Sequence, residues 1–290
     1  MTRALHRLIP LALACVVTGL APLAQAQTTS AAAAPAGSLK GSARVHDAAS
    51  AQAVVDRAQV ALPAAVTGGA PHLGPYKDAP KAVKAKAPVV LFLHGSSGLG
   101  LKAIAEWQQW LADQGIASFA PDSFGLPERI TYTSPIDKDT YEAIHALRAS
   151  EIAIALKALQ AAPWADASRI VLAGTSEGAT AVAREDSAAF AGRMIFAWSC
   201  EANYFVKDAS TAMAGQRPVL NIISLTDPFF SPANTWLGNP AAKGHCGEAF
   251  KAHKAATVVL LAQAPHTLLN LPAARTATAG FLREVFGPAR

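Results

Sequence analysis

Ile170-Val171-Leu172-Ala173-Gly174-Thr175-Ser176-Glu177-Gly178 is the stretch from which the fold can be read. Ile170 to Ala173 is an apolar run of strand length, and Ser176 to Arg184 opens a helix. Between them stands G-x-S-x-G. The glycines allow a turn too tight for a Cβ, which lifts the serine above the sheet. The helix that begins there aims its free amides at the same point. A bare G-x-S-x-G carries little weight by itself. Flanked by a strand and a helix, it marks Ser176 as a nucleophile rather than a helix-capping serine.

On either side the chain alternates strands and helices. Val89 to Leu93, Ile116 to Ala120, Met194 to Trp198, Val219 to Ile223 and Thr257 to Leu261 read as further buried strands. Ile104, Trp107 and Leu111 recur at one-face helical spacing before Gly115. A long helix is expected over 138–162, ended by Pro163, and a last one over 272–286. Val60-Ala61-Leu62 reads as an edge strand stopped by Pro63. This alternation predicts an α/β fold, a mainly parallel central sheet with helices on both faces, whose ligands bind at the carboxyl ends of the strands.

A serine hydroxyl needs a base to take its proton, and the base needs an orienting acid. In a sheet of this kind they follow in the order Ser, acid, His. Asp227 comes just after the 219–223 strand and His266 just after the 257–261 strand. His94, His145, His245 and His253 sit at less suitable places, and the rival acids Glu201 and Asp208 follow an earlier strand. An oxyanion needs backbone N–H donors. These are expected from Glu177, after the nucleophile, and from Ser96 in His94-Gly95-Ser96-Ser97-Gly98. The Glu177 carboxylate is read as a charge favoured in the first helical turn.

The 290 residues are 51% hydrophobic and 16% charged, with 25 basic against 20 acidic residues. That excludes a largely disordered chain and makes no case for nucleic-acid binding. Arg3 and Arg7, the apolar stretch from Leu8 to Leu20 and Ala24-Gln25-Ala26 are the three parts of a secretory signal peptide over 1–26. The run is short of the ~20 residues of a membrane span and contains Pro10. Cys15 lacks a Leu three places before it, as a lipid-anchored signal would have. Removing the signal's two arginines lowers the formal charge from +5 to +3. The expected protein is exported, periplasmic or secreted, with no membrane segment after signal removal. Residues 27–45, rich in Ala, Ser, Thr and Pro, read as a flexible leader before a domain over 46–290. Cys200 and Cys246 then remain, and in an exported protein they invite a disulfide. His245, Cys246 and His253 have no recognised metal-ligand spacing.

HGSSG at 94–98, Ala120 to Gly125, GTSEG at 174–178, TDP at 226–228 and PH at 265–266 together give a resemblance. Over about residues 85–286 the chain resembles the α/β-hydrolase superfamily and, within it, the dienelactone hydrolase family. The enzymes that name that family carry a cysteine nucleophile where this chain has Ser176. The resemblance implies an α/β-hydrolase fold with no metal and no organic cofactor. It implies a serine hydrolase acting on a small-molecule ester through an acyl-enzyme. A lactone or peptide bond on the same triad is the first alternative, and a non-catalytic hydrolase-fold binding protein the second. Aromatic segments at 124–135, 198–205 and 229–236 are expected near the substrate. Nothing in the sequence speaks to the oligomeric state.

Overall fold

The computed structural model describes residues 33–212 and 216–287. The signal peptide expected at 1–26 and the first part of the leader lie outside the described residues. Apolar runs bounded by Pro and Gly become strands: Ser38–Lys40 (β1), Gln59–Leu62 (β2), His72–Pro75 (β3), Ala87–Leu93 (β4), Ala117–Ala120 (β5), Thr131–Thr133 (β6), Ala165–Thr175 (β7), Gly192–Phe196 (β8), Val219–Ser224 (β9) and Ala256–Leu261 (β10). The helices are Ala48–Asp56 (α1), Ala64–Thr67 (α2), Lys102–Asp113 (α3), Lys138–Ala161 (α4), Glu177–Arg184 (α5) and Pro272–Phe286 (α6).

Eight strands form one sheet in the order β10-β9-β8-β7-β4-β5-β2-β3. From β10 to β5 all neighbours are parallel, and β2 is antiparallel to both β5 and β3. The chain leaves β4 for β5 on one side and returns to β7 on the other. This reversal opens a crevice at the carboxyl ends of β4 and β7, where such sheets bind ligands. Side chains alternate across the sheet. Val89, Leu91 and Leu93 face a core with Tyr141, Ile152, Ala155 and Leu159 of α4 and Val182 of α5. Val90 and Phe92 face Ile104, Trp107 and Leu111 of α3 and Phe281 and Leu282 of α6. Helices therefore cover both faces, as expected.

Three details differ from the sequence expectation. The 60–62 strand lies inside the sheet, and β3 takes the edge. The strand expected at 194–198 ends at Phe196, since Ala197 has a φ of 50°. Ordered backbone begins well before residue 46: β1 pairs antiparallel with β6, Ser38 opposite Thr133. Ser42 and Ala43 then both donate to the Glu128 carbonyl, at 2.9 and 2.8 Å. Small side chains suggested a leader, but ladder bonds need only the backbone.

Cys200 and Cys246 are bonded, with 4.8 Å between their Cα atoms, within the usual range. The bridge ties the loop after β8 to the segment before β10. Among the described residues no helix is long and apolar enough to cross a membrane.

Candidate active site

Ser176 sits between β7 and α5 at φ 54° and ψ −120°, a conformation that L-residues rarely adopt. The two motif glycines make the turn possible. A Cβ on Gly174 would lie 2.8 Å from the Gly178 carbonyl, and one on Gly178 would lie 2.4 Å from the Leu93 oxygen and 2.6 Å from that of His94. The elbow is thus pressed against the end of β4. The Ser176 amide donates to the Phe196 carbonyl at 3.0 Å, which ties the turn to β8 as well.

Asp227 and His266 come together from the ends of β9 and β10. His266 Nδ1 and Asp227 Oδ2 are 2.7 Å apart, and the Asp227 side chain is fully buried. The other carboxylate oxygen, Oδ1, accepts from the amides of Phe229 at 2.9 Å and Phe230 at 3.0 Å. With both oxygens engaged, the acid holds the imidazole ring and leaves its Nε2 free. The Phe229 ring packs edge-on against His266 at 4.7 Å. The rival groups have other partners. Glu201 accepts from the amides of Lys243 and Gly244, each at 2.8 Å. Buried His145 bonds the Phe205 carbonyl at 3.0 Å. Asp208 is exposed. Among the described residues no cluster of His, Cys, Asp or Glu is arranged to hold a metal ion.

Ser176 and His266 line one pocket of about 120 Å³ together with Ser96, and with Tyr132, Tyr204, Phe205, Phe229 and Phe230 from the three aromatic segments. Gly95 to Gly98 form a turn closed by the Gly98 amide on the Gly95 carbonyl at 3.1 Å. A Cβ on Gly95 would lie 3.2 Å from Ser176 Cβ, so this turn lies directly against the elbow. The Glu177 amide belongs to the first residue of α5, where no intrahelical acceptor exists. Among the described residues, no Lys, Arg, Asp or Glu lines the pocket. Burial pushes the Tyr132 phenol well above its ordinary range, followed by the Glu177 charge, and burial likewise raises Tyr204. Both therefore remain neutral hydroxyls.

A family model described as the dienelactone hydrolase family matches residues 74–274. The chain belongs to the dienelactone hydrolase family. As a member of it, the protein is a hydrolase of carboxylic esters in the wide sense that includes lactones. Among solved structures it is similar to a dienelactone hydrolase-like promiscuous phosphotriesterase from metagenomic libraries, at 20% identity and a TM-score of 0.52 over 79% of this chain and 98% of that one. It is similar to a cold-adapted esterase from an Arctic intertidal metagenomic library, at 18% identity and a TM-score of 0.51 over 81% and 95%. Est1E from Butyrivibrio proteoclasticus matches at 15% identity and a TM-score of 0.50 over 79% and 94%. At these identities the likeness is one of fold. No curated protein matches the chain.

Beneath the pocket, this dienelactone hydrolase family chain buries a set of charges that was not among the sequence expectations. Glu177 stands in the first turn of α5, as expected, but its side chain is fully buried and Oε1 meets Arg129 Nη2 at 2.6 Å. Arg148 and Glu151, on the inner face of α4, are also fully buried and pair at 2.7 Å. Ser123 donates its hydroxyl to Glu151 at 2.5 Å and accepts from Arg129 Nε at 2.6 Å. His46 reaches the same Glu151 oxygen at 3.2 Å. Burial would raise the Glu151 carboxyl, yet Arg148 first and then its hydrogen bonds bring it below the ordinary range. A signal was present in the sequence: Arg148 and Glu151 fall between Ile144, Ile152 and Ala155 on the apolar stripe of α4, where charges must find partners.

Proposed function

We propose that this protein is an exported serine esterase acting on uncharged, compact carboxylic esters. Ser176 Oγ bonds to the acyl carbon while its proton passes to His266 Nε2. Asp227 holds the imidazole and stabilises its charged form. The amides of Ser96 and Glu177 hold the oxyanion. Collapse breaks the ester C–O bond, the alcohol leaves with the proton from His266, and water repeats the sequence to release the acid and Ser176.

The observation that carries this reading is the pair of His266 with the buried Asp227 at 2.7 Å, its histidine lining the pocket that holds Ser176. The aromatic, uncharged lining and small volume support a neutral substrate with a short acyl group. The signal-like N-terminus and the bonded Cys200–Cys246 pair support export to an oxidising compartment. The test is turnover of nitrophenyl acetate and nitrophenyl decanoate by the protein lacking residues 1–26. The acetate is expected to be preferred, and Ser176→Ala is expected to lose both activities. Equal rates in the two proteins would exclude the serine mechanism.

A further inference from the structure

Resting on the esterase reading above, we propose that Arg148 is the positioning residue of the oxyanion hole, joining its two halves from beneath. One half is the turn at Gly95–Gly98, which supplies the Ser96 amide. The other is the elbow, which supplies the Glu177 amide. They come from different strands, β4 and β7, and their spacing must match one oxygen atom to within a few tenths of an ångström.

Arg148 reaches both, one through a hydrogen bond and the other through a buried ion pair. Its Nη2 donates to the His94 carbonyl at 2.8 Å. Its Nε lies 3.5 Å from Glu177 Oε1 in an ion pair with no solvent access. Its Nη1 is anchored by Glu151 at 2.7 Å. The planar guanidinium faces all three groups at once, through one hydrogen bond and two buried ion pairs, an arrangement that a lysine ammonium on a flexible stem does not fix. The carbonyl it holds is also one of the two against which Gly178 packs, so the contact lies at the seam between the two halves.

The His94 ring carries the constraint on to the donor. The Ser123 amide donates to His94 Nε2 at 3.1 Å, so that nitrogen accepts and Nδ1 bears the hydrogen. Nδ1 therefore donates to the Gly95 carbonyl, 2.6 Å away. Gly95 C=O and Ser96 N–H belong to one planar trans peptide and point in opposite directions. Pinning the carbonyl inward turns the Ser96 amide outward, toward the pocket that Ser96 lines. Burial and then the Arg148 charge hold His94 well below the ordinary imidazole range, which keeps this neutral tautomer in place.

The test compares the wild type with Arg148→Lys and Glu177→Gln, on nitrophenyl acetate and on a trifluoromethyl ketone. The ketone carbon bonds to Ser176 Oγ, the serine proton passes to His266, and the resulting oxyanion occupies the hole. Misplacing one donor is expected to lower kcat about 100-fold and leave KM within threefold. Ketone affinity should fall by the same factor as kcat/KM, a parallel that a merely structural role would not produce. Glu177→Gln keeps the side-chain shape, so it serves if Arg148→Lys does not fold, and the same parallel loss is expected of it. Wild-type kcat and ketone affinity in a folded variant would overturn the positioning role alone. Wild-type protein without Ser176-dependent turnover would overturn the esterase reading, and the positioning role with it.

Discussion

A methyl group on Gly178 would sit 2.4 Å from one backbone oxygen and 2.6 Å from another, and both belong to the segment that leads into the Ser96 turn. Backbone at a strand end cannot swing aside as a side-chain tip can. Gly178→Ala is therefore expected to cost about 1–3 kcal/mol of stability and to lower kcat as the turn is displaced. Gly100, around which nothing lies within 4 Å, is the matched control, and Gly100→Ala should leave both unchanged. Urea unfolding and nitrophenyl acetate turnover on the two variants check this. At this scale much was legible in advance. Ser176, Asp227 and His266 each follow their own strand, and a strand end is a local feature. Glu177 was rightly placed in the first turn of its helix, but its burial was not legible, because its partners Arg129 and Arg148 are far from it in sequence.

Among the elements, β1 is the one whose weight the composition concealed. Its three residues pair with β6, and the chain then runs through the two bonds to Glu128 to place His46 on Glu151. Arg129 lies in the stretch that this pairing braces, and it is the closer of the two arginines on Glu177. A protein begun at Gly37 should match one begun at Gln27 in melting temperature and kcat. One begun at Asp47 should melt lower and lose kcat, since Glu151 gives up a partner and the Arg129 segment its strand. Identical melting temperatures and rates for the shortened chains would show that β1 does not support the site. Helix α4 gives the complementary lesson. Its length and Pro163 boundary were readable from the sequence, with only a one-residue difference at the end, and Arg148 and Glu151 stood out on its apolar stripe, but the partners those charges would find were not readable.

At the scale of the molecule, the core keeps two histidines neutral beside its paired charges. Burial holds both His94 and His145 below the ordinary imidazole range. In the unfolded chain the same groups titrate near ~6.5, so below that pH the unfolded state binds more protons than the folded one. Their contribution is complete above about pH 6.5 and is lost on acidification, by up to about 1.4 kcal/mol per pH unit for each histidine. Urea unfolding between pH 7.5 and 5 should show that slope. His145→Gln, outside the catalytic set, should make it shallower by roughly one proton, and an unaltered slope would refute the assignment.

The sequence by itself determined the alternation of strands and helices, the covered parallel sheet, the elbow at Ser176 and the family. These follow from short-range signals: apolar periodicity, Gly and Pro at turns, and chemistry placed just after a strand. Tertiary structure alone decided which charges would be buried, that Ser38–Lys40 would join a sheet, that Cys200 would meet Cys246, and that a pocket without charged lining would lie over two arginines and two glutamates. Each of these depends on distances between segments far apart in the chain. Residue type sets what a group requires in the interior, and only the packed fold settles whether a partner is close enough to supply it.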